Sequence, residues 1–233
     1  MSPSRTTIVF AIGFAALAVI IAYVANVGSH PREPSFEGRP LSVWLSDLDI
    51  SSSAEKRSEA IRAIQQMGTN AVPLLVKVVI SPSDPFKVEV GALAHRLLPG
   101  RLQVAEKWGD SGHSRQSLGV EGLRALGPAA TAGIPPLADF LTNHPYPGMA
   151  AYGLAAIGVS AVPSLIAALG CTNDQQKLTT VGAFQQLGPV ASEAMPHLKR
   201  FYDQNRAWWA AGAITNAMYR INPTSVEQML IQP

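Results

Sequence analysis

The chain has 233 residues, with 18 Lys/Arg against 16 Asp/Glu, a net charge of +2, 47% hydrophobic residues and 7% aromatic ones. A charge balance this close to neutral speaks against the pronounced basic face of a nucleic-acid binder, and the apolar content is enough for one continuous core. The single Cys171 excludes an intramolecular disulfide and leaves the redox compartment open.

The chain begins with a tail of residues 1–7, followed by an uncharged run rich in Ile, Val, Ala, Leu and Phe from Ile8 to Ala25. Eighteen residues of helix at 1.5 Å each reach about 27 Å, enough to cross a bilayer. The run is longer than the core of a secretory signal and no Ala-x-Ala site follows it, which favours an uncleaved anchor over residues 8–27 (Ile8 to Val27). Arg5 precedes the span while Arg32 and Arg39 follow it, so loop charge does not decide the orientation. The short tail favours sending the bulk of the chain to the extracytoplasmic side. Gly28–Pro40, with three prolines and two glycines, reads as a semi-extended linker across residues 28–40.

From residue 41 to 233 the chain reads as one repeat domain. A first helix is expected near Leu41–Leu48, with Trp44, Leu45 and Leu48 closing one end of the core, and Ser51–Glu59 as the turn and solvated face of the next helix. One phrase then recurs: MGTNAVPLL at Met67–Leu75, LGPAATAGIPPL at Leu126–Leu137, IGVSAVPSL at Ile157–Leu165 and LGPVASEAMPHL at Leu187–Leu198. Before each glycine runs a helical apolar stripe, such as Ala60, Ala63, Ile64 and Met67. Gly68, Gly127, Gly158 and Gly188 supply a positive φ to end that helix. Pro73, Pro135, Pro163 and Pro196 then fall where a first helical turn needs no N–H. A second stripe follows, such as Val72, Leu75, Val76 and Val79. The last three glycines are 31 and 30 residues apart and the first interval is 59, so the period is near thirty. Helix pairs at that period predict an all-α chain built as an α-solenoid.

Within the double-length interval the pattern fails. A helix is plausible over Phe86–Leu98, but Leu97–Ser117 is the longest polar stretch of the domain. Arg101, Lys107, Trp108, His113 and Arg115 make this segment either a partner-binding loop or a worn repeat. Near the C-terminus His197–Pro223 mixes basic residues with Phe201, Tyr202, Trp208, Trp209 and Tyr219. One of the 18 Lys/Arg, Arg5, precedes the span, leaving 17 against 16 acids in the rest of the chain. The aromatics therefore read as the packed cap of the last helix pair rather than a nucleic-acid platform.

The repeated phrase, set among alanine-rich helices, resembles the HEAT-repeat proteins, especially short-repeat bacterial ones related to bilin-lyase subunits. The lead-in EGRPLSVWLSDL at Glu37–Leu48 is similar to the opening of membrane-anchored bacterial members. The resemblance spans about Gly38 to Pro233 and implies a right-handed solenoid of HEAT-like antiparallel pairs. It also implies a non-catalytic scaffold or adaptor for a protein partner, with a lyase-like or ligand-binding role as the alternative. Catalytic signatures are missing from the sequence. His30, His95, His113, His144 and His197 are scattered without a second ligand at helical spacing, and no nucleophile elbow, phosphate loop or dinucleotide fingerprint occurs. The expectation is no enzyme, no cofactor, no metal and no nucleic acid.

Overall fold

The computed structural model describes residues 33–81, 112–144 and 147–231. The expected span over 8–27 and the first part of the linker lie outside them. Within the span read as linker, the compact unit begins at Pro34. Ser35–Phe36 (β1) and Arg39–Pro40 (β2) pair antiparallel. Glu37 and Gly38 between them both carry positive φ, 50° and 73°, as a two-residue hairpin turn requires. The hairpin is fastened to helix α1, Leu41–Asp47. The Arg39 guanidinium lies 3.7 Å from the centre of the Trp44 ring and 2.6 Å from an Asp47 carboxylate oxygen, while the indole N–H of Trp44 donates to the carbonyl of Phe36. The prolines and glycines that suggest a linker therefore shape a staple.

The rest of the described chain is helical: α2 Ala54–Met67, α3 Val72–Ile80, α4 Gly112–Leu126, α5 Ile134–Asn143, α6 Ala150–Ile157, α7 Val162–Ala168, α8 Asp174–Leu187, α9 Met195–Gln204, α10 Ala211–Ile221 and α11 Pro223–Ile231. Each repeated phrase becomes a helix, a short tight turn and a second helix. Pro73, Pro135, Pro163 and Pro196 each occupy the second position of the following helix, where the missing N–H has no intrahelical acceptor. The glycines carry positive φ as expected, but their ψ differs from that of the usual left-handed cap. Gly158 sits at φ 102°, ψ −149°, a region that suits glycine alone, and Gly68 and Gly188 have ψ of −141° and −138°. The chain thereby turns directly into a tight 3₁₀ segment and not into a loop.

First helices pack on first helices in the order α2, α4, α6, α8, α10, and the second helices α3, α5 and α7 form a row beside them. The core lies between the rows and is mainly aliphatic: Ile64, Leu75, Leu123, Leu137, Leu154, Leu165, Leu198 and Ile214 are fully buried, with Phe184 the one aromatic among the largest of them. Among the described residues one continuous stretch, Ala54–Ile80, is long and apolar enough by length and composition to cross a membrane. Gly68 divides that stretch, Glu55, Lys56, Arg57, Glu59 and Arg62 charge its first half, and its apolar residues belong to this core.

The double-length interval between Gly68 and Gly127 has a structural counterpart. Helix α4 packs directly on both α2 and α3. The contact is close because a Cβ on Gly122 would come within 2.5 Å of Leu75 Cδ2 and 3.0 Å of Leu45 Cδ2. The side-chain amide of Gln116 on α4 donates to the carbonyl of Ser81 just after α3 at 2.8 Å, tying the two sides of the interval together. A second glutamine does the same elsewhere. Gln176 on α8 donates to the carbonyls of Thr142 (3.0 Å) and His144 (2.9 Å) where α5 ends. Both glutamines are buried, 6% and 5% exposed, and both satisfy helix-end carbonyls that lack an intrahelical donor.

Candidate interaction surface

Of the residues singled out from sequence, Arg101, Lys107 and Trp108 lie outside the described residues. His113 and Arg115 fall in the first turns of α4, which shortens the expected irregular segment at Gly112. The polar composition there reflects a helix start and not a loop: Arg115 is exposed, while Gln116 is buried because its amide finds Ser81. Farther along α4, Ser117, Leu118, Glu121, Arg124 and Ala125 line a surface feature that sequence reading did not anticipate.

That feature is an open groove of about 930 Å³ between the outer faces of α2 and α4, walled at one end by the α1–α2 connection. Helix α2 buries Ala60, Ala63, Ile64 and Met67 in the core, which leaves Ala54, Arg57, Ile61 and Gln65 at helical spacing along the groove. Leu118 and Ala125 of α4 line the opposite side. At the walled end Ile50 is 88% exposed, and Ile61 is 39% exposed in mid-groove. At the far end the Gln65 amide donates to the carbonyl of Ala125, tying α2 to α4.

Four charged residues line the groove, and three of them have polar partners. Glu121 and Arg124 pair with each other on α4. Asp49 Oδ1 accepts from the N–H (2.8 Å) and hydroxyl (2.6 Å) of Ser51, and those bonds hold its carboxyl below the usual range. Arg57, half-buried on α2, has no carboxylate partner among the described residues. Its guanidinium keeps donors to spare beside an apolar floor.

A second, shallower hollow of about 490 Å³ is lined by Tyr152, Gln185, Gln186, Asn216 and Arg220 on α6, α8 and α10. Its donors are partly used, since the Gln185 amide donates to the carbonyl of Ala213. The C-terminal aromatics divide, which corrects the expected cap. Phe201 is buried and meets Trp208 edge to face at 6.1 Å, but Trp209 is 75% exposed and Tyr219 49%. Both tryptophans stand in the turn 205–210 between α9 and α10, where no helical face fixes which of them enters the core. Cys171 is half-buried and burial raises its thiol pKa, with Lys177 opposing weakly, which is the environment of an unreactive cysteine.

Among the described residues no three His, Cys, Asp or Glu side chains come together in a way that could hold a metal ion. No family model, curated protein or solved structure matches the chain.

Proposed function

We propose that the chain is a non-catalytic scaffold that binds another protein, built as a right-handed α-solenoid of HEAT-like pairs and held at a membrane by residues 8–27 with its bulk on the extracytoplasmic side. The observation that carries this reading is the groove between α2 and α4: Ile50 and Ile61 remain open to solvent beside a charged rim. Isolated exposed apolar residues need no explanation, but two in one trough with Leu118 form a surface suited to an apolar partner face. An open trough between helices suits a polypeptide better than a small ligand, whose sites enclose most of its surface. Arg101, Lys107, Trp108, His113 and Arg115 precede Ser117 and Leu118 of the groove in sequence and are the further candidates for partner contact. Nothing in this reading requires a cofactor.

The test is recovery of partner polypeptides from native membranes by the full-length chain, with crosslinking before extraction. Ile50→Asp with Ile61→Asp should abolish specific recovery while leaving the helical circular dichroism unchanged, because both side chains are exposed. Recovery that survives the double substitution but fails with Trp108→Ala and Arg115→Ala would move the interface away from the groove. Loss of helical signal in the groove variant would show those residues to be structural.

A further inference from the structure

The groove selects for a particular chemistry in what it binds. We propose that its occupant is an amphipathic helix presenting an apolar stripe and a carboxylate, the stripe resting on Ile50, Ile61 and Leu118 and the carboxylate pairing with Arg57. The inference rests on the reading of the groove as a docking surface and adds the partner's charge.

Three observations lead there. The first is length. From Ala54 to Gln65 the groove follows α2 for eleven residue steps, about 16 Å at 1.5 Å each, which matches roughly three turns of a partner helix. Apolar side chains come from both walls, Ile61 from α2 and Leu118 and Ala125 from α4, so a helix can lay an apolar stripe of residues i, i+3, i+4 and i+7 between them. The second is charge. The Asp49 carboxylate is already bonded by Ser51, and Glu121 and Arg124 neutralise one another, whereas Arg57 has no carboxylate partner among the described residues. The unmet demand in the groove is for a negative acceptor. The third is position. Arg57 is half-buried on α2, one turn before Ile61, so a helix seated on Ile61 passes over the guanidinium and its burial there strengthens any ion pair formed. A partner lysine at that position would meet a like charge, and a neutral residue would leave the guanidinium covered without an acceptor.

The experiment is selection of a displayed library of random 16-residue peptides on the full-length chain held in nanodiscs. Selected peptides are expected to carry apolar residues at helical spacing with one Asp or Glu. Their affinity should fall about tenfold on Arg57→Gln, a loss of about 1.4 kcal/mol. Repeating the selection on Arg57→Glu should exchange the acid for Lys or Arg. Peptides that are lost on Ile61→Asp but carry no acid, or that bind Arg57→Gln equally well, would overturn the carboxylate while leaving the groove as a docking surface. Peptides indifferent to both Ile50→Asp and Ile61→Asp, or a selection that enriches nothing, would overturn the groove itself. Saturation of the surface by a second copy of the chain, read as dimerisation by light scattering and abolished by Ile61→Asp, would contradict the proposed occupant.

Discussion

Replacing Gly158 with alanine isolates the backbone requirement of the repeated turn from every packing effect. An ideal Cβ at Gly158 meets no atom within 4 Å, so no side chain has to move. What remains is the backbone, at φ 102° and ψ −149°, where an L side chain is strained by about 1–3 kcal/mol. Against this, alanine restricts the unfolded chain and returns about 0.4–1 kcal/mol. The net expectation is a loss of roughly 1–2 kcal/mol, and for a domain of this size a Tm lower by about 2–8 °C. Asparagine, which tolerates the left-handed helical region at positive ψ, should not restore stability, because ψ here lies far from that region. Gly212→Ala supplies the control. That glycine also has open space around its Cβ position but no positive φ, and it stands in the first turn of α10, so alanine there should stabilise by about 0.4–1 kcal/mol. Thermal or urea unfolding of the full-length variants followed by circular dichroism reads all three. A Gly158→Ala protein as stable as Gly212→Ala would refute the turn geometry and the period built on it.

Gln176→Leu should cost about 1–3 kcal/mol in urea unfolding, since it deprives the carbonyls of Thr142 and His144 of their donor at the end of α5. Gly122→Ala should destabilise by about 1–3 kcal/mol by overpacking, because the new methyl falls 2.5 Å from Leu75 and 3.0 Å from Leu45; a silent substitution would mean that α4 does not approach α3 so closely. Arg39→Ala should lower stability by no more than about 1–2 kcal/mol while increasing proteolysis near Glu37, as the hairpin loses both its stacking on Trp44 and its bond to Asp47. For Cys171, whose thiol is held up by burial, alkylation by iodoacetamide at pH 7–8 should lag well behind a free thiol and accelerate on unfolding. The folded thiol keeps its proton to higher pH than the unfolded one, so any stability it contributes is present below the unfolded thiol's pKa and is lost as pH rises through the folded one.

The regular part of this fold is legible because each signal is local. A glycine that must take positive φ, a proline at the second helical position and apolar residues three or four apart all act within one repeat, and all four copies of the phrase adopt the expected form. Contacts between repeats are not local, and there the reading fails. Gly122 looks like a mild defect in a helix, yet its lack of a side chain admits Leu75 and Leu45. Gln116 and Gln176 look like solvated polar residues, yet they are buried as caps on other helices. The linker glycine and prolines conceal a hairpin because its strands are two residues each, too short for an alternating pattern to show. The groove was missed for a related reason. Its signal is Ile61, one position off the buried stripe of α2, and Ile50 within a polar run; neither means anything until α4 is placed beside α2.

The most direct measurement of the docking claim is site-specific photocrosslinking in native membranes, with benzoylphenylalanine at Ile61 in the groove and, as control, at Val190, which is 54% exposed on the turn before α9. The account predicts a discrete adduct with another polypeptide from position 61, none from position 190, and loss of the adduct when Arg57→Glu is introduced in the same chain. Equal adducts from both positions, or none from position 61, would contradict it, whereas an adduct from position 61 that persists with glutamate at position 57 would contradict only the partner's carboxylate.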